Sequence, residues 1–321
     1  MRHKTLHIRA FTGVLAALWF AGVQACAQTT IPASAALPSS QADTSKPGFI
    51  WNVYQVEAAT PNGTQKSEEV LAGVYGPNVA DPSAQGAAIA PAAAPSSPNV
   101  PISFEIATVI NLDQSAADGG NFNPTDQMPG IPGTTGSMDN IAAEVLNWIE
   151  FPAAGVYELG VNSDDGFRTT LGGSSPKDKF GIAVGEFNGG RGAADTLFKV
   201  KIDQAGLYAM RTTWEEGGGG ASIEIFSTKA DGTKVLVNDT ANGGLRSFRA
   251  VTGSSPVYVQ KVIPVPGSTG VSFDTDIEVE LVDGQGMAVD TTSVKLSLDA
   301  SQVNAQVSKN AGVTSVKYVP A

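Results

Sequence analysis

Beyond residue 27 the chain has neither histidine nor cysteine. Its two histidines are His3 and His7, and its one cysteine is Cys26. These absences exclude a Ser-His-Asp or Cys-His nucleophile, a zinc site built on imidazole or thiolate, and an internal disulfide. Positive charge is scarce as well. Arg2, Lys4 and Arg9 take three of the 20 Lys and Arg residues into the first 27 positions, leaving 17 against 31 Asp and Glu, a net of −14. Nucleic acid and anionic membrane surfaces are poor partners for such a field. No glycine cluster is followed by Lys-Ser/Thr and a helix, so the phosphate-cradling loop is missing. The remaining polar groups are carboxylates, amides, hydroxyls, Lys and Arg. That inventory suits hard cations and sugars, which are met by oxygen. Carboxylate-pair glycoside hydrolysis also survives, since it needs only Asp and Glu.

The first 27 residues read as an export leader. A basic start (Met1-Arg2-His3-Lys4, closed by Arg9) precedes an apolar stretch from Ala10 to Val23 that is short for a bilayer span and ends in small residues. Ala25-Cys26-Ala27 fits a small-x-small cleavage site, giving a mature chain from Gln28. Val23-Gln24-Ala25-Cys26 is the competing reading, a poor lipobox that would make Cys26 a lipidated N-terminus. Either way the protein is expected outside the cytoplasm, secreted or at the cell surface. With its chemistry so restricted, it reads as a binding protein and not an enzyme.

Residues 28–47 are Ala, Ser, Thr, Pro and Gln without periodicity and read as a flexible linker. From Gly48 onward the pattern is that of strands. Phe49–Val56 is aromatic and β-branched, Ile102–Ile110 and Val156–Val161 alternate, and Phe167–Leu171, Phe180–Phe187, Thr196–Ile202, Leu207–Trp214, Ser222–Ser227 and Lys234–Val237 follow. Asn140–Phe151 is apolar at mixed spacing, Glu68–Tyr75 is a short turn or helix, and the Ala/Pro/Ser stretch Asp81–Pro101 is a long surface loop. Many short strands with Gly-rich turns predict an all-β sandwich over 48–252. A further β domain over 253–321, either small or truncated, begins after Ser254-Ser255-Pro256 with strands at Val257–Val262, Asp276–Leu281, Ser293–Leu298 and Val313–Val319.

One internal echo stands out. Ala154-Gly155-Val156-Tyr157 matches Ala205-Gly206-Leu207-Tyr208, and each strand runs into acid: Asp164-Asp165 in the first, Glu215-Glu216 in the second. Adjacent carboxylates at a strand end repel, and a cation removes that cost; Asn162-Ser163-Asp164-Asp165-Gly166 can supply several oxygens to Ca²⁺. The alternative is a solvated Asp-Asp-Gly hairpin turn. Asn188-Gly189-Gly190-Arg191-Gly192 offers backbone approach and a guanidinium that could hold a ligand, or is simply a packed hairpin. Trp214 beside Glu215 and Glu216 could stack on a sugar face or be core.

The segment AGVYELGVNSDDGFRTTLGG, with AGLYAMRTTWEEGGGGASIEIFS some forty residues on, resembles the PA-14 (protective-antigen-like) domain. The match is specific over Ala153–Phe226. The resemblance implies a β sandwich found in glycosidases, adhesins and toxins, and in sugar-binding members a calcium ion held by two adjacent aspartates, often joined by a cis peptide. Asp164 and Asp165 occupy those positions. It therefore implies carbohydrate or a cell-surface glycan as partner, with Asp164 and Asp165 as the Ca²⁺ ligands and as contacts reaching the sugar; Asn188, Arg191 and Trp214 are added as candidate contacts from residue type alone, since the further ligands of the sugar-binding members come from a less regular loop. The Asp81–Pro101 insert and the Gly185–Thr196 loop depart from the family pattern, and many members keep the turn for structure alone. The region PVYVQKVIPVPGSTGVSFDTDIEVELVDGQGMAVDTTSVKLSL resembles bacterial Ig-like spacer domains. A structural or adhesive module without a small ligand is the competing functional reading.

Overall fold

The structure is a computed structural model that describes residues 28–58, 62–115 and 119–320; the leader lies outside them. The chain begins β1 (Thr29–Ile31), β2 (Phe49–Gln55), α1 (Thr64–Leu71), β3 (Ile102–Ile106), β4 (Asn111–Asp113) and β5 (Asp126–Gln127). It continues β6 (Ile141–Phe151), β7 (Gly155–Asp164), β8 (Phe167–Gly173), β9 (Ile182–Phe187), β10 (Ala194–Ile202), β11 (Gly206–Glu216), β12 (Ser222–Thr228), β13 (Lys234–Leu236) and β14 (Ser247–Phe248). The last strands are β15 (Tyr258–Ile263), β16 (Ile277–Val282), β17 (Leu296–Leu298), β18 (Ser301–Val303), β19 (Gln306–Asn310) and β20 (Val313–Tyr318). With 42% strand and 6% helix, the fold is all-β, as expected. Among the described residues no helix is long and apolar enough to cross a membrane.

Two seven-stranded sheets face each other. The first runs β1-β10-β7-β12-β4-β5 with β13 beside β12; the second runs β3-β2-β6-β11-β8-β9 with β14 beside β6. Alternation aims one side of each strand inward. Leu159, Val161, Ile223 and Ile225 of the first sheet meet Trp51, Val145, Phe167 and Trp214 of the second in one buried cluster. The central strands of the second sheet bury both faces. All eleven residues of β11 are buried, as are ten of the eleven in β6, because α1 and the N-terminal segment cover the outer side. That double covering explains the mixed apolar spacing of Asn140–Phe151, which resolves into one long strand.

The N-terminal segment corrects a sequence expectation. Residues 28–47 are not a loose tether. β1 pairs in parallel with Val200–Ile202 of β10, Ile31 is 0% exposed, and bridges tie Leu37 to Leu207 and Pro47 to Phe248. Composition pointed to disorder because Pro, Ala and Ser dominate. Ile31 nevertheless reaches the core, Leu37 packs partly buried against the cluster that holds Leu207 and Phe248, and each backbone bridge adds hydrogen bonds. The Asp81–Pro101 stretch is a loop as read, although Ala88 dips into the core.

β15, β16, β20 and β19 form a separate four-stranded sheet in that order, and β17 and β18 form a hairpin. Gly160, mid-β7, shows how tightly the first sheet is filled. A Cβ there would overlap the buried Phe226 ring. Gly160→Ala is expected to destabilise the protein by ~2 kcal/mol through overpacking, with a lower midpoint in urea denaturation; an unchanged midpoint would contradict this packing.

Candidate functional site

The echoed strands β7 and β11 lie in opposite sheets and run the same way. Each starts at a glycine with φ near +155° (Gly155 φ 156°, Gly206 φ 154°), and their tyrosines close on one ring: Tyr157 lies 4.8 Å and Tyr208 5.6 Å from Phe151. At the other end of the sandwich both strands finish in acid. Carboxylate oxygens of Asp164, Asp165 and Glu216 come within 4.8 Å of one another. The repeat therefore closes one end with aromatics and gathers charge at the other.

The Asp164–Asp165 peptide is cis. Its surroundings fix both residues. The indole N–H of Trp214 donates to the Asp164 carbonyl at 3.0 Å, and the Ser163 hydroxyl donates to the Asp165 carbonyl at 2.7 Å. The Asp165 carboxylate accepts from the Arg191 N–H (2.7 Å), the Asn62 amide (2.6 Å) and the Gly217 N–H (3.2 Å). The turn before α1 is pinned to the same place. Gly63 N–H donates to Glu215 Oε1 at 2.7 Å, and Thr64 N–H donates to the Asn188 side chain at 3.0 Å.

Glu216 is different. It is 1% exposed, and neither carboxylate oxygen has a hydrogen-bond partner among the described residues. The Gly218 N–H acts to lower its pKa without reaching hydrogen-bond geometry. Burial, then the charges of Asp165 and Asp164, push its carboxyl up to about 8. Burial also raises Glu215 to about 7, against the Gly63 N–H, and raises Asp164 to about 6 with the Asp165 charge added. Nearby, Gln114 donates its amide to the Gly219 carbonyl at 2.5 Å but leaves a buried Oε1 unpartnered. Buried acceptors without donors are costly, and a hard cation is the partner their chemistry fits.

Of the residues singled out from sequence, Asp164 and Asp165 meet in the cluster. Asn188 sits at its rim, occupied with Thr64. Two expectations need correction. Trp214 is 0% exposed, stacked near Trp51 at 6.0 Å, and offers no face to a sugar. It ends a strand whose inner face is core, so its burial follows from β11 register. The Arg191 guanidinium is spent inside the protein: Nε donates to the Ser163 carbonyl (3.1 Å), Nη2 to its hydroxyl (2.8 Å) and Nη1 to Thr196 (3.0 Å), with the group 4.2 Å above the Phe187 ring. Arg191 is thus a positioning residue for the Asp164 turn. Glu216 and Asn62 were missed. The acidic ends of the echoed strands were the available signal for Glu216; a lone Asn beyond the Phe49–Val56 strand gave none for Asn62.

The arrangement is an all-β sandwich with an acidic, oxygen-lined end. No protein-family model and no curated protein sequence matches the chain. Its fold is similar to a PA14 domain of the MpAFP antifreeze protein (13% identity, TM-score 0.39, 63% of this chain and 91% of that one). It is also similar to a PA14 sugar-binding domain from an RTX adhesin (13%, 0.36, 64% and 99%). A third likeness is to the Epithelial Adhesin 9 A domain of Candida glabrata in complex with Galb1-4GlcNAc (12%, 0.35, 71% and 97%). At these values none of them assigns a ligand to this chain.

Proposed function

We propose that the acidic end of the sandwich binds Ca²⁺ through Asp164, Asp165 and Glu216, and that the exported protein uses it to bind carbohydrate. The observation that carries the cation is Glu216, a buried carboxylate without a donor, within 4.8 Å of the two aspartates. Three carboxylates of a Ca²⁺ site supply part of the six to eight oxygens such an ion takes. The Asn62, Arg191 and Gly217 donors hold Asp165 in place, so ligand geometry is set before the ion arrives. Carbohydrate as the partner follows from the sequence resemblance and from the oxygen-only inventory. The C-terminal strands are proposed to act as an Ig-like spacer.

A second reading is favoured by one specific observation. With Trp214 buried and Arg191 engaged, two expected sugar contacts are lost, which fits a cation that only locks the sandwich end. Catalysis by a carboxylate pair fits less well at the cavity on the outer face of the second sheet. Two glutamates that line it, Glu68 and Glu144, are both held ionised by Arg211 and Lys179, whereas hydrolysis needs one protonated acid.

Calorimetric titration of Ca²⁺ into wild type and Asp164→Asn/Asp165→Asn tests the ion. Saturable heat in wild type, lost in the variant, is expected; equal heats would reject the site. A glycan array with Ca²⁺ or EDTA then separates the readings. Calcium-dependent glycan signal supports carbohydrate binding, and Ca²⁺ binding without glycan signal supports the structural lock.

A further inference from the structure

A cavity of about 450 Å³ lies on the outer face of the second sheet, where β15 and β16 rest against it. It is remote in kind from the acidic end. Arg211 and Glu216 sit at odd and even positions of β11, so they face opposite sides of the sheet. The C-terminal sheet is held over the cavity by backbone and side-chain bonds. Lys179 N–H donates to the Val259 carbonyl at 3.0 Å, and Gln65 donates to the Ser268 hydroxyl at 2.8 Å.

The floor is charged but balanced. Glu144 accepts from Arg211 Nε at 2.7 Å, Glu68 accepts from Arg211 Nη2 at 2.8 Å and pairs with Lys179 at 3.1 Å. On this floor two carboxylates thus face two cations; on the walls Lys261 pairs with Glu278 and Glu280, whereas Lys177 makes no ion pair among the described residues, so an anionic sugar is the alternative that a charged control must measure. Uncharged hydrogen-bonding capacity is left over. Asn52 donates its amide nitrogen to Glu144 at 2.9 Å, and Gln260 donates its own to Glu280 at 2.9 Å, so each keeps an amide oxygen as acceptor. The Ser103 hydroxyl makes no hydrogen bond among the described residues and can both donate and accept. Val100, Pro101 and Val262 line the same space with apolar surface.

Acceptors, a hydroxyl and an apolar wall around a charge-neutral floor match a pyranose, which carries hydroxyls at its edge and C–H groups on its faces. The volume falls in the ordinary range for small-molecule sites and has room for one or two rings. We infer that this cavity is a second saccharide site, taking a neutral mono- or disaccharide, and that it needs neither Ca²⁺ nor Asp164. It does not rest on the calcium reading, because no residue is shared between the two sites.

The test uses the full chain in EDTA at pH 6, with glucose, galactose, lactose, maltose and cellobiose as probes and glucuronate as the charged control. Saturation-transfer NMR and calorimetry are expected to show saturable binding of at least one neutral sugar, with a Kd in the millimolar range or tighter. Ser103→Trp and Gln260→Trp, which fill the cavity from opposite walls, are each expected to weaken it at least tenfold while leaving the thermal midpoint and circular dichroism unchanged. No neutral-sugar binding up to about 10 mM, binding untouched by both Trp variants, or a tenfold preference for glucuronate would each overturn the inference. Sugar binding seen only with Ca²⁺ would leave the calcium reading standing and remove this one.

Discussion

Arg211→Met is expected to lower stability at pH 7 by ~3–5 kcal/mol, the cost of leaving buried carboxylates unpaired. In a chain of this size that corresponds to a fall of roughly 10 °C in thermal midpoint. The reason is the geometry of one side chain. Arg211 is 5% exposed on the outer face of β11, bonded to Glu144 of β6 and to both oxygens of Glu68 on α1. Burial alone would push both glutamates up, but the Arg211 and Lys179 charges outweigh it, holding Glu144 at about 2 and Glu68 well below the usual carboxylate range. Folded pKa values below the unfolded ones contribute stability above about pH 4.5 that is lost as pH falls toward 2. In the variant the sign reverses, since protonation relieves the two unpaired acids. The gap between wild type and variant should therefore shrink between pH 7 and pH 4, and adding Glu68→Gln with Glu144→Gln should recover much of the loss. Urea denaturation at both pH values reads this directly. A variant as stable as wild type at pH 7 would show that the network is mere surface decoration.

The second large effect is at the acidic end of the sandwich and has the opposite pH dependence. Glu216 has a folded pKa of about 8 against an ordinary value of 4.5. A raised carboxyl pKa gives stability that is full below the unfolded value and lost as pH climbs through the folded one. In EDTA, stability is expected to fall as pH rises from about 5 to about 8, by on the order of 4 kcal/mol. Ca²⁺ takes up the same negative charge, and at 1,000-fold excess over Kd a bound ligand adds ~4 kcal/mol. The difference in thermal midpoint between Ca²⁺ and EDTA should accordingly be small at pH 5 and large at pH 8. Glu216→Gln should flatten the EDTA profile. A difference that does not vary with pH would mean that Glu216 takes no part in ion binding.

The strands of the sandwich were legible because most of them have one apolar and one polar face, or are apolar throughout. Val156–Val161 and Ser222–Ser227 gained only a few residues at their ends as β7 and β12. β4, β5 and β14 were not legible. They are two or three residues long; β4 and β14 pair with strands far along the chain, and β5 in turn pairs with β4. β1 was hidden for a related reason: its partner β10 lies about 170 residues away, so nothing local marks Thr29–Ile31 as strand. At the site, Asp164 and Asp165 were readable as a pair because they are adjacent. Glu216 joins them only through the facing of two sheets. The burial of Trp214 and the inward turn of Arg191 likewise depend on register and loop closure, which residue type does not encode.

The N-terminal strap also protects part of a sheet edge. β1 lies alongside the last residues of β10, level with Gly155–Tyr157, whereas Asp195 and Asn162 lie toward the other end of the same strands. Five residues of strand between Asp195 and Val200 amount to ~17 Å. Running parallel to β10, β1 covers only Val200–Ile202 of what would otherwise be the edge strand of the first sheet, and so shields that stretch from pairing with another chain.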